Sequence, residues 1–546
     1  MKITIQKSLL PGAANATPAV VRALKTLKTV KNGVLSFEKG EYHFYEEGCV
    51  CDFFAVSNNS AGEKQIAFLI EDFDGIYIEG NGSVFVFHGF VFPFIVSRSR
   101  SVRIEGITFD RCKPPVSQFT VCEQTEQGFL LRFNREDLPY TVENGGVIFQ
   151  TERGSYSTLE HLISLHQVQV FGVRLLRAGD SAASVENLAA PLILTDAEAR
   201  ENGIYFRYRE NTPCKCEYEE GEPLQAILDG DRQLDVIFLQ ESSSVTLCHL
   251  TVRRGLGMGI IGQLCENLEI DGFRTDASYH GDYSTLTADA MHFVNCSGNL
   301  NIHHCDVSYT MDDALNVHGI YTALERAERD GIYVRLKHYQ QFFVNPYRYG
   351  DVLEIIEPKQ LQIVAGYQVE SSSLVGETGD LLYIRGEFLF GGDRVREGDF
   401  VENPDRMPNV HLHHNHFSYC PNVRVSGRGE LLVEHNHVEN SRSGLLAMDL
   451  AEYWYESGRV RHLVCRNNRF SNCNTLGGTK IIRIQVTPFA DSEAPKIHET
   501  IEIRDNVFEN VKETAITAGG VQNLIMQGNN FTNQTDRLIV IDGQIQ

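Results

Sequence analysis

The sequence of 546 residues has no long apolar run and few cationic side chains relative to its acidic ones. A membrane-spanning helix needs about 20 apolar residues, so we expect no membrane span. The 49 Lys and Arg residues against 72 Asp and Glu residues give a net charge of −23. Because nucleic-acid binding depends on cationic side chains that neutralise phosphates, this balance argues against a nucleic-acid partner. It also argues, more weakly, against a polyanionic substrate.

Several signatures of cofactor and metal chemistry are missing too. The chain has no CxxC pair, HExxH motif, Gly-x-Ser-x-Gly motif, glycine-rich phosphate loop or dinucleotide fingerprint. Its 13 cysteines are odd in number and scattered, which is typical of free thiols in a reducing compartment. The CxC pairs at residues 49–51 and 214–216 are too isolated to predict a zinc site. We therefore expect neither a metal nor a cofactor.

The first eleven residues lack the apolar region of a signal peptide. This favours a cytoplasmic location, or an extracellular or periplasmic one if a leader was removed. Residues 17–24 are predicted to form a helix, with Thr17 as N-cap and Pro18 in the first turn. A helix in this place suits a cap at the open end of a repeat fold.

A short sequence motif, in which apolar and polar residues alternate, recurs from about residue 66 and becomes nearly regular after residue 405. In the regular part, one position of the motif is always asparagine: Asn415, Asn436, Asn468, Asn506 and Asn529. The intervals are 21, 32, 38 and 23 residues. A unit near 22 residues with loops of variable length predicts an all-β protein, a right-handed parallel β-helix. Asparagine suits its turns, since it tolerates a left-handed backbone and can stack on the asparagine above.

Two stretches, residues 120–237 and 321–402, contain short strands but no repeat, and they predict two inserted small β-barrel or sandwich domains. The predicted divisions are a cap (1–60), β-helix coils (61–119), an inserted β-rich domain (120–237), central coils (238–320), an inserted β-barrel (321–402) and C-terminal coils (403–546). Insertions on one face of a solenoid usually build its binding surface. Alternatively, these two cover an edge or form the contact of a homodimer.

Three carboxylates are the candidate catalytic groups: Asp289, Asp312 and Asp313. The interval 312 − 289 = 23 matches one coil, which returns to the same side of a β-helix about 4.8 Å higher. Close carboxylates do not ionise together. One can keep a proton as general acid while the others polarise a water, as hydrolysis of a glycosidic bond requires. Alternatively, the Asp-Asp pair bonds backbone amides in a turn or holds Ca²⁺.

Polar residues near these carboxylates are candidates for substrate binding. His292, Asn316 and His318 can donate to sugar hydroxyls, although each can equally be structural. A second cluster contains Trp454, the single tryptophan, and Glu456. An aromatic face and a carboxylate suit a sugar, and the alternative is a tryptophan in the core. The histidine clusters at 303–304 and 411–416 are interpreted as solvated turn residues rather than as a metal site.

The segments 257–263, 289–294, 311–319 and 454–458 resemble glycoside hydrolase family 110, the α-1,3-galactosidases. Upstream, the segments 66–68 and 85–94 also fit, and the resemblance is weakest in 120–237. The resemblance implies a right-handed β-helix with inserted barrels and metal-free, inverting exo-hydrolysis of terminal α-1,3-linked galactose, of blood group B or linear type. It adds Gln263 to the substrate-binding candidates. The run at 447–453 is less polar than is usual in the family.

The layout of three aspartates is also similar to that of the polygalacturonase family. By that likeness Asp312 is the general acid, and Asp289 and Asp313 hold the water. Stacked coils would place the carboxyls closer than the roughly 6.5–9.5 Å typical of inverting enzymes, so spacing does not decide the stereochemistry. Two alternatives remain: a β-helix glycosidase of other specificity, such as a uronide hydrolase with cations such as Arg253 and Arg254 in its cleft, and a non-catalytic glycan-binding β-helix.

Overall fold

The computed structural model describes residues 1–9, 14–113, 117–133, 139–151, 154–157, 174–177, 194–208, 223–227, 234–282, 284–473, 480–511, 514–532 and 539–545. Almost all regular structure in them is β, and the helices described are Thr17–Leu27, Lys7–Leu9 and Tyr339–Gln341. No helix in these ranges is long and apolar enough to cross a membrane. None of the cysteines in these ranges forms a disulfide bond, and the pair at 214 and 216 lies outside the described residues.

Parallel strands stack in three long faces, and each coil of the chain passes through all three. The first face contains Lys2–Ile5, Gly33–Phe37, Ser243–Cys248, Glu266–Asp271, Ser297–His303, Asn409–His413, Glu430–Glu434, His462–Arg466, His498–Arg504 and Val521–Gln527. The second contains Glu41–Phe44, Thr251–Val252, Arg274–Thr275, Asp306–Ser308, His416–Ser418, His437–Glu439, Arg469–Ser471, Val507–Glu509 and Asn530–Phe531. Two long strands, Asp74–Phe87 and Arg100–Arg111, run through both faces.

The third face carries the candidate site. Its parallel strands are Ala61–Glu71, Val91–Ser97, Ile237–Gln240, Ile260–Gln263, Met291–Val294, Leu315–Ile320, Val423–Val425, Leu445–Leu450, Ile482–Thr487, Ile516–Ala518 and Ile539–Ile541. Val50–Ala55, Glu456–Ser457 and Gln544–Ile545 pair with this face in antiparallel fashion. The prediction of an all-β parallel β-helix is confirmed.

Alternation along each strand builds the core. Leu300 and Ile302 point inward while Asn301 points outward, and the same pattern recurs one coil higher. Because coils rise by about 4.8 Å, like side chains stack in contact. Phe470, Phe508 and Phe531 do so with ring centroids 5.2 and 4.9 Å apart.

The predicted asparagine ladder is confirmed. The backbone N–H and the side-chain amide of Asn415 both donate to Asn436 Oδ1, at 3.0 and 2.9 Å. The same two bonds join each asparagine to the next along the ladder as far as Asn529. The left-handed backbone lies one residue earlier than expected, for example at His414 and His435, with φ of 55° at both. The turn at that preceding residue directs the asparagine side chain inward, where it is buried.

The second insertion is a closed antiparallel barrel of six strands. They are Thr322–Ala327, Gly331–Leu336, Val352–Glu357, Gln362–Val375, Leu381–Phe390 and Phe400–Glu402. The barrel leaves the third face directly after Leu315–Ile320 and therefore begins beside the candidate site.

The first insertion contains two antiparallel sheets. One consists of Ser117–Thr125, Gly128–Phe133, Arg174–Arg177, Leu194–Arg200, Gly203–Tyr208 and Pro223–Ile227, and the other of Tyr140–Glu143, Gly146–Thr151 and Gly154–Ser157. The rest of 120–237 is largely outside the described residues, so the division of the chain into domains stays a prediction.

Candidate active site

One outward-facing column of the third face changes from apolar to polar in its middle coils. The pairing register aligns, in order, Ile95, Phe238, Ile261, His292, Asn316, Arg424 and Leu446. The three polar members are buried although they point away from the core. They are covered because the N-terminal region and the C-terminal coils meet above them: Asn58 Nδ2 donates to Glu456 Oε1 at 2.6 Å. A polar, enclosed patch on the outside of a β-helix is a candidate ligand site.

The three predicted catalytic carboxylates meet at the start of this column. Ala290 N–H donates to the carbonyl of Asp313 at 2.8 Å, so Asp289 and Asp313 occupy the same position in consecutive coils. Both are buried, whereas the neighbouring Asp312 is only half-buried. Burial, together with the charges of Asp312 and Asp289, raises the pKa of Asp313 well above its usual range. The site therefore favours the protonated form of this carboxyl group.

A chain of hydrogen bonds leads from Asp289 through two histidines. His292 Nδ1 lies 2.7 Å from Asp289 Oδ2, His318 Nε2 lies 2.9 Å from His292 Nε2, and His318 Nδ1 lies 2.7 Å from the carbonyl of Gly319. Burial lowers the pKa of His292 to about 4 and that of His318 to about 3, against the opposing effect of Glu456. Both rings are therefore neutral at pH 7.

The hydrogen-bond partners determine which atoms of this hydrogen-bonded chain carry protons. The carbonyl of Gly319 only accepts, so neutral His318 donates from Nδ1 and accepts at Nε2. His292 then donates from Nε2, and its Nδ1 must accept from Asp289. With both rings neutral, Asp289 carries the third proton. If Asp289 is ionised instead, one ring is charged. A proton can thus move along the chain without changing its net charge.

Glu456 and Arg424 form a buried ion pair beside this chain, through Arg424 Nη1 and Glu456 Oε2. Burial alone would raise the pKa of Glu456, but Arg424 overcomes it, and with the nearby imidazoles the pKa falls to about 2. Because those imidazoles are neutral at pH 7, Arg424 is the group that keeps Glu456 ionised. The pair has no net charge.

Trp454 lies in a turn at the edge of the site rather than in the core. Its ring is half-buried and packs against His338, with centroids 4.6 Å apart, and its carbonyl accepts from Gln341 Nε2 at 3.1 Å. His338 and Gln341 come from the inserted barrel, so the turn and the insertion build this edge together. Tyr453, which is 68% exposed, extends the aromatic surface outward.

Gln263 is buried, and its amide binds backbone instead of facing an open site. Its Oε1 accepts from Ser57 N at 2.8 Å, and its Nε2 donates to the carbonyl of Ala55 at 3.3 Å. These bonds hold the segment that brings Asn58 to Glu456. In this structure Gln263 therefore positions a neighbouring segment.

Several polar atoms of the site have no hydrogen-bond partner within the described residues. They include Asn316 Oδ1, Arg424 Nε and Nη2, and His338 Nδ1, all buried. Buried polar groups are nearly always hydrogen-bonded, so these atoms are available to a ligand rich in hydroxyl groups. Asn316, which was predicted from the sequence as a donor, belongs to this set through its acceptor oxygen.

Four residues of the site were not predicted from the sequence: Asn58, Asn422, Arg424 and His338. Asn422 Nδ2 donates to Asp313 Oδ1 at 2.6 Å. Only Arg424 gave a usable signal, as a lone cation inside the apolar run 423–425. Asp235 was not predicted either. The register places it two coils below Asp289, and burial raises its pKa to about 7. Asp235 accepts from Asn59 Nδ2 and from Met258 N, at 2.6 and 2.8 Å.

No protein-family model matches the chain. The sequence is 26% identical over 550 residues to alpha-1,3-galactosidase A of Bacteroides fragilis, covering 97% of this chain and 86% of the relative. It is 24% identical over 543 residues to alpha-1,3-galactosidase B of Bacteroides thetaiotaomicron, covering 95% and 84%. Among solved structures, the family 28 exopolygalacturonase of Yersinia enterocolitica aligns with 98% of this chain and 79% of its own at 10% identity, with a TM-score of 0.40. Over nearly its whole length, the chain is similar to curated proteins named as α-1,3-galactosidases of types A and B.

Proposed function

We propose that this protein is an exo-acting glycosidase of glycoside hydrolase family 110, which releases terminal α-1,3-linked galactose with inversion at the anomeric carbon. The observation that carries the proposal is the meeting of Asp289, Asp312 and Asp313 in one enclosed patch. Glycosidic hydrolysis needs a proton donor and a proton acceptor among nearby carboxyls. The near-full-length similarity to α-1,3-galactosidases supports the sugar and the linkage.

In the proposed mechanism Asp312 protonates the glycosidic oxygen while Asp289 and Asp313 orient a water. The water adds to the anomeric carbon, gives its proton to the base, and the carbon–oxygen bond to the leaving group breaks. The raised pKa of Asp313 supports a proton on this carboxyl group, beside Asp312. Asp312, the more exposed of the two, is the better placed to hand that proton to substrate.

The histidine chain supports the role of Asp289 as a base. Asp289 accepts the proton of water only when it is ionised, and transfer of its own proton to His292 or His318 achieves this without changing the site's net charge. Glu456 favours a charged ring, since its carboxylate lies 3.5 Å from His318 Nε2. His292 and His318 are thus positioning residues in this proposal.

The enclosure above the site supports an exo mode. Asn58 and Glu456 join segments from opposite ends of the chain across the third face, so a sugar chain cannot run straight through at that level. The unpartnered atoms of Asn316 and Arg424 would bind galactose hydroxyls. Trp454 and His338 would pack against the sugar's apolar face.

A uronide hydrolase is the second candidate, because Arg424 places a cation in the site. Glu456 neutralises that cation, and an ionised carboxylate would repel a uronate. A neutral sugar therefore suits the ion pair better.

The test is hydrolysis of a panel of α-1,3-, α-1,4- and α-1,6-linked galactosides and p-nitrophenyl α-galactoside, with Asp312→Asn as control. We expect galactose from the α-1,3-linked substrates and from the nitrophenyl glycoside but not from the α-1,4- and α-1,6-linked ones, released first as the β-anomer in proton NMR spectra. Asp312→Asn should lose far more activity on a disaccharide than on the nitrophenyl glycoside, whose leaving group needs no acid. Branched, fucosylated substrates beside linear ones would define the subclass. Release of uronic acid but no galactose would favour the second candidate, and binding without hydrolysis would favour a glycan-binding β-helix.

A further inference from the structure

A cluster of metal-ligand side chains lies on the first face of the β-helix, away from the carboxylates of the third face. Asp271 ends the strand Glu266–Asp271, and His303 ends the next strand of that face, Ser297–His303. The register places His303 directly above Asp271. His304 follows in a left-handed turn with φ of 55°. Ligand atoms of the three residues lie within 4.8 Å of one another.

The three separations between these atoms lie around the ligand-to-ligand spacing of a zinc site. His303 Nδ1 lies 2.8 Å from His304 Nδ1 and 3.3 Å from Asp271 Oδ1, and His304 Nδ1 lies 3.8 Å from Asp271 Oδ1. Zinc binds nitrogen and oxygen at about 2.0–2.1 Å in a tetrahedron, so its ligands lie about 3.3 Å apart. We propose that Asp271, His303 and His304 bind a divalent transition metal of the zinc class, with water as fourth ligand.

A neighbouring carboxylate prepares His303 for this role. Its Nε2 lies 2.6 Å from Glu269 Oε1, so the neutral ring carries its proton on Nε2 and presents a lone pair at Nδ1. That lone pair faces both His304 Nδ1, at 2.8 Å, and the Asp271 carboxylate, at 3.3 Å. A carboxylate on the distal nitrogen of a histidine is the usual support of a metal ligand. A cation between these groups would relieve the contact of two electron-rich atoms.

The surroundings leave the cluster open to ions from solvent. The His304 side chain is 64% exposed. One coil higher, His413 and His414 repeat the arrangement with Nδ1 atoms 3.0 Å apart, and the His413 ring stacks on His303 at 5.0 Å. The sequence analysis interpreted these histidines as solvated turn residues. Their convergence became visible only when the coils were stacked.

A second cluster, His416, His437 and Glu439, fits a metal less well. The register places Arg469 directly above His437. Its positive charge also lowers the pKa of His437, in addition to burial. A cation already present beside a site opposes binding of another, so this second cluster provides the matched control.

The test uses the full-length protein without an affinity tag, stripped with EDTA and titrated with ZnCl₂ by calorimetry. We expect one zinc ion per chain and a higher melting temperature with zinc. His304→Gln and Asp271→Asn should each weaken binding at least tenfold. Glu269→Gln, which keeps all three ligands, should weaken it about 10- to 100-fold. His437→Gln should bind as the wild type does.

Three results would overturn the proposal: no binding by the wild type, unchanged binding by His304→Gln, or loss of binding in His437→Gln alone. Melting temperatures in EDTA check that each variant is folded, and the exposed His304 is the side chain least needed for folding. Galactosidase activity should not depend on EDTA, so failure of the metal site and failure of the proposed function are distinguishable.

Discussion

His292 and His318 belong to consecutive coils, and their Nε2 atoms lie 2.9 Å apart. One ring must therefore donate to the other, which fixes the proton positions from Gly319 to Asp289. These two residues, which are 26 positions apart in the sequence, thus belong to one hydrogen-bonded chain that ends at the Asp289 carboxyl group. The β-helix makes this possible because it brings equivalent positions of successive coils into contact.

We predict that His292→Phe lowers kcat on an α-1,3-linked galactoside by about 10²- to 10⁴-fold, the usual contribution of acid–base groups. The acid limb of kcat/KM should move to higher pH, because a buried carboxyl without its imidazole partner ionises less readily. His318→Phe leaves the hydrogen bond between Asp289 and His292 in place, so its kcat should fall less than that of His292→Phe. Equal losses in both variants with an unchanged pH profile would mean that the rings act only in packing.

We predict that Arg424→Met destabilises the fold by about 3–5 kcal/mol, because it leaves Glu456 charged and buried without a cation. Arg424→Met combined with Glu456→Leu should recover much of that loss, since neither charge remains, but both variants should be inactive. Arg466→Met is the matched control. Arg466 pairs with Glu434 at the surface, and such pairs contribute about 0–1 kcal/mol. Urea denaturation measures the free energy of unfolding of all three variants. Equal losses of stability in Arg424→Met and Arg466→Met would contradict the prediction.

We predict that Asn436→Ala lowers the free energy of unfolding by about 1–3 kcal/mol or more. The substitution leaves buried donors of Asn415 and the carbonyl of Leu412 without these partners. Asn529→Ala, near the end of the ladder, should cost less. Its bonds are only partly buried, so water can replace them. Denaturation midpoints of the two variants decide this, and a larger loss at Asn529 would argue against a ladder that is strongest where it is buried.

We predict that buried His498 destabilises the fold as the pH falls. Burial lowers its pKa from 6.5 to about 4. Between these values the unfolded chain binds more protons than the folded one, so stability rises with pH from about 4 to about 6.5. His498→Gln can still accept from Val460 N and donate to the carbonyl of Gln485. The variant should show a slope smaller by up to about 1.4 kcal/mol per pH unit. Identical slopes would show that folding does not shift the pKa of His498.

The repeat and its ladder could be predicted because they depend on local pattern. Alternation of apolar residues sets which side chains enter the core, and a recurring asparagine sets the turn. The same reasoning aligned Asp289 with Asp312, at the interval 312 − 289 = 23, whereas the register aligns it with Asp313, one residue further on. It placed the left-handed residue one position too late, because stacking of Asn415 on Asn436 does not reveal which neighbour bends the chain.

Partners from distant parts of the chain could not be predicted. Asn58 contacts Glu456, which lies 398 residues later in the sequence. Arg424 pairs with Asn316 on the neighbouring strand, although the inserted barrel separates the two residues in the sequence. Gln263 was expected to contact substrate, but its amide is used by the backbone of residues 55 and 57. The repeat pattern of the sequence does not predict such contacts, because they depend on how the insertions and the N-terminal cap fold over the third face.

By itself, then, the sequence determined the β-helix, the asparagine ladder and the three candidate carboxylates, because each follows from a period close to one coil. Only the tertiary structure decided which groups enclose those carboxylates, where the protons of His292 and His318 lie, and which histidines converge with Asp271. Those features depend on distances between separate coils and insertions, and such distances exist only once the chain has folded.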